Sequence, residues 1–176
     1  MTSSRQTIKS EAIVLRKRNL PNQDLIINLF TKDKGRLTVF AKGIKKITSR
    51  RLSHSQTGNL VNAVIYKRND YSYLQETNLV SAFSQIKTNK QKTNCLYFML
   101  FVLDRLLPEN EKEEQIYDIV KRFLIELSNS KENNRQFINR YLNKIMMVLG
   151  YLHEIKPLEQ LTYLIEGIIN EKLPEI

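Results

Sequence analysis

Between Lys32 and Arg51 this 176-residue chain sets eight cations, Lys32, Lys34, Arg36, Lys42, Lys45, Lys46, Arg50 and Arg51, against one acid, Asp33. Cations at that density repel one another in a compact state, so the chemistry open to them is neutralisation of a negative partner. Phe40 lies among them. Cations fix a phosphate backbone, and an aromatic ring offers a base a stacking surface, at about 1–3 kcal/mol per base. Taken singly, each of the eight is explained as a solvated residue that aids solubility. Taken together they are not. Residues 1–94 carry 18 Lys and Arg against 5 Asp and Glu, a net +13, whereas residues 95–176 carry 10 against 13, a net −3. Solubility would be met by mixing both signs. A polynucleotide partner is the better expectation for the basic half.

Other chemistries find little to work with. Glu11, Asp24, Asp33, Asp70 and Glu76 are scattered over several predicted elements, and His54 and His153 are isolated. No nucleophile–base pair can be assembled. Five glycines form no phosphate-binding loop. The single cysteine, Cys95, excludes an internal disulfide and a cysteine-rich zinc site, and it sits in an apolar run as a small hydrophobe. No enzyme activity, cofactor or metal is therefore expected. No base-reading helix or zinc finger is visible, so binding should be largely independent of sequence.

The elements that must position these cations divide the chain in two. The first half reads as strands: AIVLRKR from Ala12, DLIINLFT from Asp24, a KDKG tip at 32–35, RLTVFAKG up to Gly43, NLVNAVIYKR, a turn at Asn69-Asp70, and YSYLQETNLVSAF. On the third strand Arg36, Thr38 and Phe40 share one face, and Leu37, Val39 and Ala41 share the other. Residues 44–57 lack strand alternation and read as a loop or one short helix. Three strands, a link and two strands are the order of an oligonucleotide-binding (OB) barrel. An SH3-like barrel also has five short strands, and element order alone does not separate the two.

The second half reads as four helices. One runs from Cys95 to Leu107 and stops at Pro108. Two more follow the helical apolar period through Ile116–Leu127 and Phe137–Leu149, the latter ending at Gly150, and a last one spans about Leu158 to Asn170. The fold class is thus α+β, with a five-stranded OB-fold nucleic-acid-binding domain over residues 1–86 and an α-helical bundle over 87–176. The polar start, MTSSRQTIKSE, lacks the apolar core of a secretory signal. The nine-residue apolar run Cys95–Leu103 is far short of the roughly 20 residues that cross a bilayer. A cytoplasmic protein without a membrane partner is expected.

The stretch EAIVLRKRNLPNQDLIINLFTKDKGRLTVFAKGIKKITSRRL resembles the opening of the RecO family of bacterial recombination mediators. Glu11, Ile13, Val14, Leu15, Asp24, Leu25, Ile26, Phe30, Thr31, Gly35, Arg36, Ala41, Lys42, Gly43, Ser49 and Arg50 fall in step with it. A Leu-Gly-Tyr at 149–151 is consistent with that family's helical second domain. The resemblance implies an OB domain followed by helices, and a non-enzymatic, nucleoid-associated role in recombinational repair. It implies binding of single- and double-stranded DNA, strand annealing, and contact with RecR and with the acidic C-terminal tail of single-strand-binding protein during RecA loading. The DNA-contact role carries over to Arg36, Lys42 and Arg50. Lys32, Lys34, Lys45, Lys46 and Arg51 join by charge alone.

Three departures stand out. Gln56-Thr57-Gly58 replaces the family's usual Q-P-F, the four zinc-binding cysteines of many members are absent, and one helix follows Gly150 where relatives carry more. A reduced form of the family is the expectation. The rival reading is a helical adapter that binds a protein through an apolar groove, with the barrel as its scaffold.

Overall fold

The architecture comes from a computed structural model, which describes residues 5–46 and 49–176; the first four residues and positions 47 and 48 of the predicted link lie outside the described residues. The first strand, β1 (Arg5–Asn19), begins well before the apolar run that announces it in sequence. Its early half alternates with only Ile8 as a large apolar residue, and Ser10 and Ala12 complete the inward face. Fifteen residues let β1 serve two partners. It pairs with β2 (Leu25–Thr31) through its later half and with β4 (Leu60–Arg68) through its earlier half. A register shift between Val14 and Arg16 supplies the bend.

β2 and β3 (Gly35–Ala41) form a hairpin from Thr31↔Gly35 to Leu25↔Ala41. Thr31 holds the tip from within: its hydroxyl donates to the Gly35 carbonyl (2.8 Å) and accepts from the Lys34 N–H (3.1 Å). Gly35 sits at φ +66°, the left-handed position such a tip requires. β4 and β5 (Tyr71–Ser81) form a second hairpin around Asn69-Asp70. β3 lies parallel to β5 at Val39↔Ser72 and Phe40↔Tyr73. The result is a closed barrel in the order β1-β2-β3-β5-β4, the Greek-key closure of an OB-fold, which settles the choice against the SH3-like alternative. Val14, Ile27, Leu29, Val39, Ile65 and Leu74 fill the interior, and Leu52 packs against them from the short α1 (Arg51–His54).

The parallel β3–β5 pairing covers only part of β3, which leaves the backbone near Arg36 in need of partners. Residues 107–113 supply them and belong to the same compact unit as the barrel. Glu109 bridges Arg36, the Asn110 N–H donates to the Arg36 carbonyl (2.9 Å), and the Arg36 Nε donates to the Leu107 carbonyl (3.0 Å). A Cβ at Gly35 would lie 1.6 Å from the Glu111 carbonyl oxygen. The strap fits because residue 35 has no side chain.

The other unit, residues 83–106 and 114–176, contains α2 (Ser84–Lys87), α3 (Lys90–Leu106), α4 (Glu114–Asn129), α5 (Asn134–Val148) and α6 (Leu158–Ile169). α3 starts five residues before its apolar run because the Asn89 side chain caps it, accepting from the Lys92 N–H (3.1 Å). Phe123, Phe137 and Tyr141 pack with ring centroids 5.1–5.5 Å apart. Asn143, 3% exposed, accepts from the Lys156 N–H (2.8 Å) and donates to the Lys156 carbonyl (2.9 Å), which fixes the connection from α5 to α6. Gly150 at φ +79° follows the end of α5.

Candidate nucleic-acid interface

Alternation along β3 turns Leu37, Val39 and Ala41 into the barrel and Arg36, Thr38 and Phe40 outward. Strand register then decides what stands beside that outward row. Arg16 faces Asn28 and Arg18 faces Ile26 across β1–β2. Asn28 faces Thr38 and Ile26 faces Phe40 across β2–β3. Phe40 lies beside Tyr73, which faces Tyr66 on β4. Two cross-strand rows, Arg16–Asn28–Thr38 and Arg18–Ile26–Phe40–Tyr73, therefore run over the outer face.

Shallow recesses follow these rows. One of about 220 Å³ is lined by Arg16, Arg18, Ile26, Asn28 and Thr38. A second, of about 400 Å³, shares Thr38 and continues to Phe40, Lys67, Asp70, Tyr71, Ser72, Glu109 and Asn110. Phe40 meets Tyr71 edge to face at 5.8 Å and Tyr73 at 6.0 Å, forming an aromatic platform. The Lys42 ammonium lies over the Tyr73 ring, 5.0 Å from its centroid, within cation–π range. Past Lys42 a third recess, of about 870 Å³, is lined by Gly43, Lys46, Ser49, Arg50, Arg51 and residues 75–78 of β5. Cations, rings and cations again succeed one another across one surface.

The eight sequence-predicted cations divide among these places. Lys42, Lys46, Arg50 and Arg51 come together around the third recess and its approach. Lys45 is half-buried beside them, its N–H donating to the Gln23 carbonyl. Lys32 and Lys34 stand at the hairpin tip beyond the opposite end of β3, and at a strand rise of about 3.3 Å per residue roughly 25 Å separates Lys34 from Lys42. That exceeds the screening length of about 8 Å at physiological salt several-fold, so the tip pair stands electrostatically apart from the cations around Lys42. Arg36 and Arg51 use their guanidinium groups within the barrel. Arg36 reaches the Leu107 carbonyl, and Arg51 donates to the carbonyls of Leu74 and Lys42 (2.8 Å each), tying the link to β5 and β3.

Sequence reasoning did not single out Arg16, Arg18 or Lys67 for this surface. The signal was available for the first two in the alternation Leu15-Arg16-Lys17-Arg18, where the even positions are exposed. Lys17 points the other way, towards the Gln56 side-chain oxygen, and burial pushes its ammonium below the usual lysine range. Two of the groups weighed for catalysis, His54 and Cys95, are held by the fold. The His54 Nδ1 lies 2.7 Å from the Thr77 carbonyl oxygen. Cys95 is buried in α3, where loss of solvent pushes its thiol up to about 12. Among the described residues, no helix is long and apolar enough to cross a membrane.

Residues 4–83 match the family described as "Recombination protein O N terminal". The chain is 29% identical over 148 residues to the DNA repair protein RecO of Thermoanaerobacter sp. (strain X514), which covers 84% of this chain and 60% of that protein. It is 29% identical over 145 residues to the DNA repair protein RecO of Caldanaerobacter subterraneus subsp. tengcongensis, covering 82% of this chain and 59% of the relative. With the DNA repair protein RecO of Chlorobaculum parvum the identity is 24% over 166 residues, 93% of this chain and 64% of that protein. The chain thus spans about three-fifths of the length of the curated relatives it matches.

Proposed function

We propose that this chain is a member of the RecO family, whose N-terminal family model matches residues 4–83, and that it binds DNA in recombinational repair. The observation that carries the reading is the aromatic platform of Phe40, Tyr71 and Tyr73 flanked by Arg16 and Arg18 on one side and by Lys42, Lys46 and Arg50 on the other. Cations at both flanks hold a sugar-phosphate backbone, while the rings accept bases of a single strand and ignore their sequence to first order. Annealing follows from the same physics. Two strands repel through their phosphates, and a surface that neutralises both lowers that repulsion without any catalytic group. On this reading the protein is a mediator and not an enzyme.

The domain division proposed with it gives nucleic acid to the barrel, residues 1–86, and protein contacts to the helical remainder, residues 87–176. Those partners, RecR and the acidic tail of single-strand-binding protein, rest on the family resemblance, as do recombinase loading and a cytoplasmic, nucleoid-associated location.

A salt titration of a fluorescent single strand tests the core of this function. The logarithm of affinity should fall linearly with the logarithm of salt, at about −0.7 per phosphate contacted. The exposed set Arg18→Glu, Lys42→Glu, Lys46→Glu and Arg50→Glu should abolish most binding while leaving the melting temperature in place. Salt-independent affinity, or full binding by that variant, would sink the reading. An annealing assay on strands coated with single-strand-binding protein then separates mediator from simple binder.

A further inference from the structure

The pocket beside the platform differs in chemistry from the cationic surface around it. Phe40 and Tyr71 give it an apolar aromatic wall, and Tyr71 is 56% exposed. Also lining the pocket are two carboxylates, Asp70 from the β4–β5 turn and Glu109 from the strap, together with Asn110, Ser72 and the single cation Lys67. Among the described residues, no hydrogen bond or ion pair engages the side chain of Asp70 or Glu109. The strap holds Glu109 at this position by main-chain interactions, through its bridge to Arg36 and the neighbouring Asn110 N–H bond. Two carboxylates outweigh the one cation, Lys67, so a phosphate is disfavoured here and this is a break in the phosphate track. A pocket of about 400 Å³ whose lining combines aromatic rings with carboxylate acceptors suits a planar group that carries N–H donors on its edge.

Resting on the nucleic-acid reading above, the geometry points to a nucleobase pocket that takes one unstacked base of a single strand and favours cytosine or adenine over thymine. The base stacks on Tyr71 and Phe40. Its exocyclic amino group, N4 of cytosine or N6 of adenine, donates to the Asp70 or Glu109 carboxylate. Thymine presents carbonyl O4 at the corresponding place, and an acceptor facing a carboxylate leaves both unpaired. A modest base preference is thereby laid over a track that otherwise follows the backbone.

The experiment compares a labelled oligodeoxycytidylate and oligothymidylate of equal length, two pyrimidine strands of similar size, by fluorescence anisotropy at pH 8 with the full chain. Cytidylate should bind tighter by about fivefold or more, the lower end of discrimination by directed hydrogen bonds to a base edge. The double variant Asp70→Asn, Glu109→Gln should bring the two affinities within about twofold, because an amide can also donate to thymine O4. Tyr71→Ala should weaken both strands together, by about fivefold or more, through the loss of stacking. Equal binding of the two strands by the unaltered protein overturns the pocket and leaves the DNA-binding reading standing, as does a preference that survives in the double variant. Failure to bind either strand overturns the DNA-binding reading itself, and the pocket with it.

Discussion

The two units differ in where their described cations find partners. In the helical unit, cations meet acids on their own surface: Arg105 binds Asp104 and Glu171, Arg135 binds Glu159, Arg140 binds Glu126 and Glu132, Lys156 binds Glu154, and Lys172 binds Glu166. In the barrel, Arg36 and Arg51 turn to carbonyl oxygens, Lys42 turns to a tyrosine ring, and Lys46 and Arg50 are exposed around a recess. The lesson is that charge count alone does not mark a binding surface. Neutralised cations belong to the fold, each exposed pair contributing at most about 1 kcal/mol. On the proposed function, exposed cations such as Lys42, Lys46 and Arg50 near the rings are neutralised from outside.

The strongest way to break this comparison is to reverse charge in each unit. Arg18→Glu, Lys42→Glu, Lys46→Glu and Arg50→Glu should lower single-strand affinity by about a hundredfold or more at moderate salt and reduce the salt slope by about 0.7 for each phosphate left without its cation. Arg135→Glu and Arg140→Glu, in the helical unit, should change affinity less than about twofold. Equal weakening by both sets would erase the distinction.

Next in size is Gly35→Ala. Its methyl group would collide with the Glu111 carbonyl at a backbone conformation that disfavours a side chain, so either the strap detaches or the barrel loses about 2 kcal/mol or more. Chemical denaturation measures the second, and faster amide exchange at Asn110 reports the first. Asn143→Ala probes the helical unit instead. It strands the N–H and carbonyl of Lys156 and should cost about 1–3 kcal/mol with DNA affinity unchanged.

The smallest effect concerns acid. The Glu166 carboxyl accepts from the Leu173 N–H and from Lys172, which hold it below the usual carboxylate range. A depressed folded value means that the stabilisation from these bonds is present above the unfolded carboxylate range, near pH 4.3, and disappears as pH falls through the folded value. The chain after α6 should therefore loosen on acidification below about pH 4, visible as local exchange at Leu173, and Glu166→Gln should remove that pH dependence.

Much of this molecule could be read along the chain. Strand alternation placed Phe40 outward and Leu37 and Val39 inward, the helical period found four of the helices, and the count of charges located the basic half. These properties are local, fixed within a few residues by the geometry of a strand or a helical turn. What the sequence hid was set by pairing between distant segments. Arg16 and Arg18 join Phe40 only through the registers of β1 with β2 and of β2 with β3. Lys32 and Lys34 leave the group because a strand carries them away from Lys42. Glu109 reaches the platform across more than sixty residues of chain because an uncovered stretch of β3 needs backbone partners, and no pattern within residues 107–113 announces that need. Amino-acid order determined which residues could meet a polyanion; barrel closure decided which of them stand together, since register is a property of two strands and is written in neither alone.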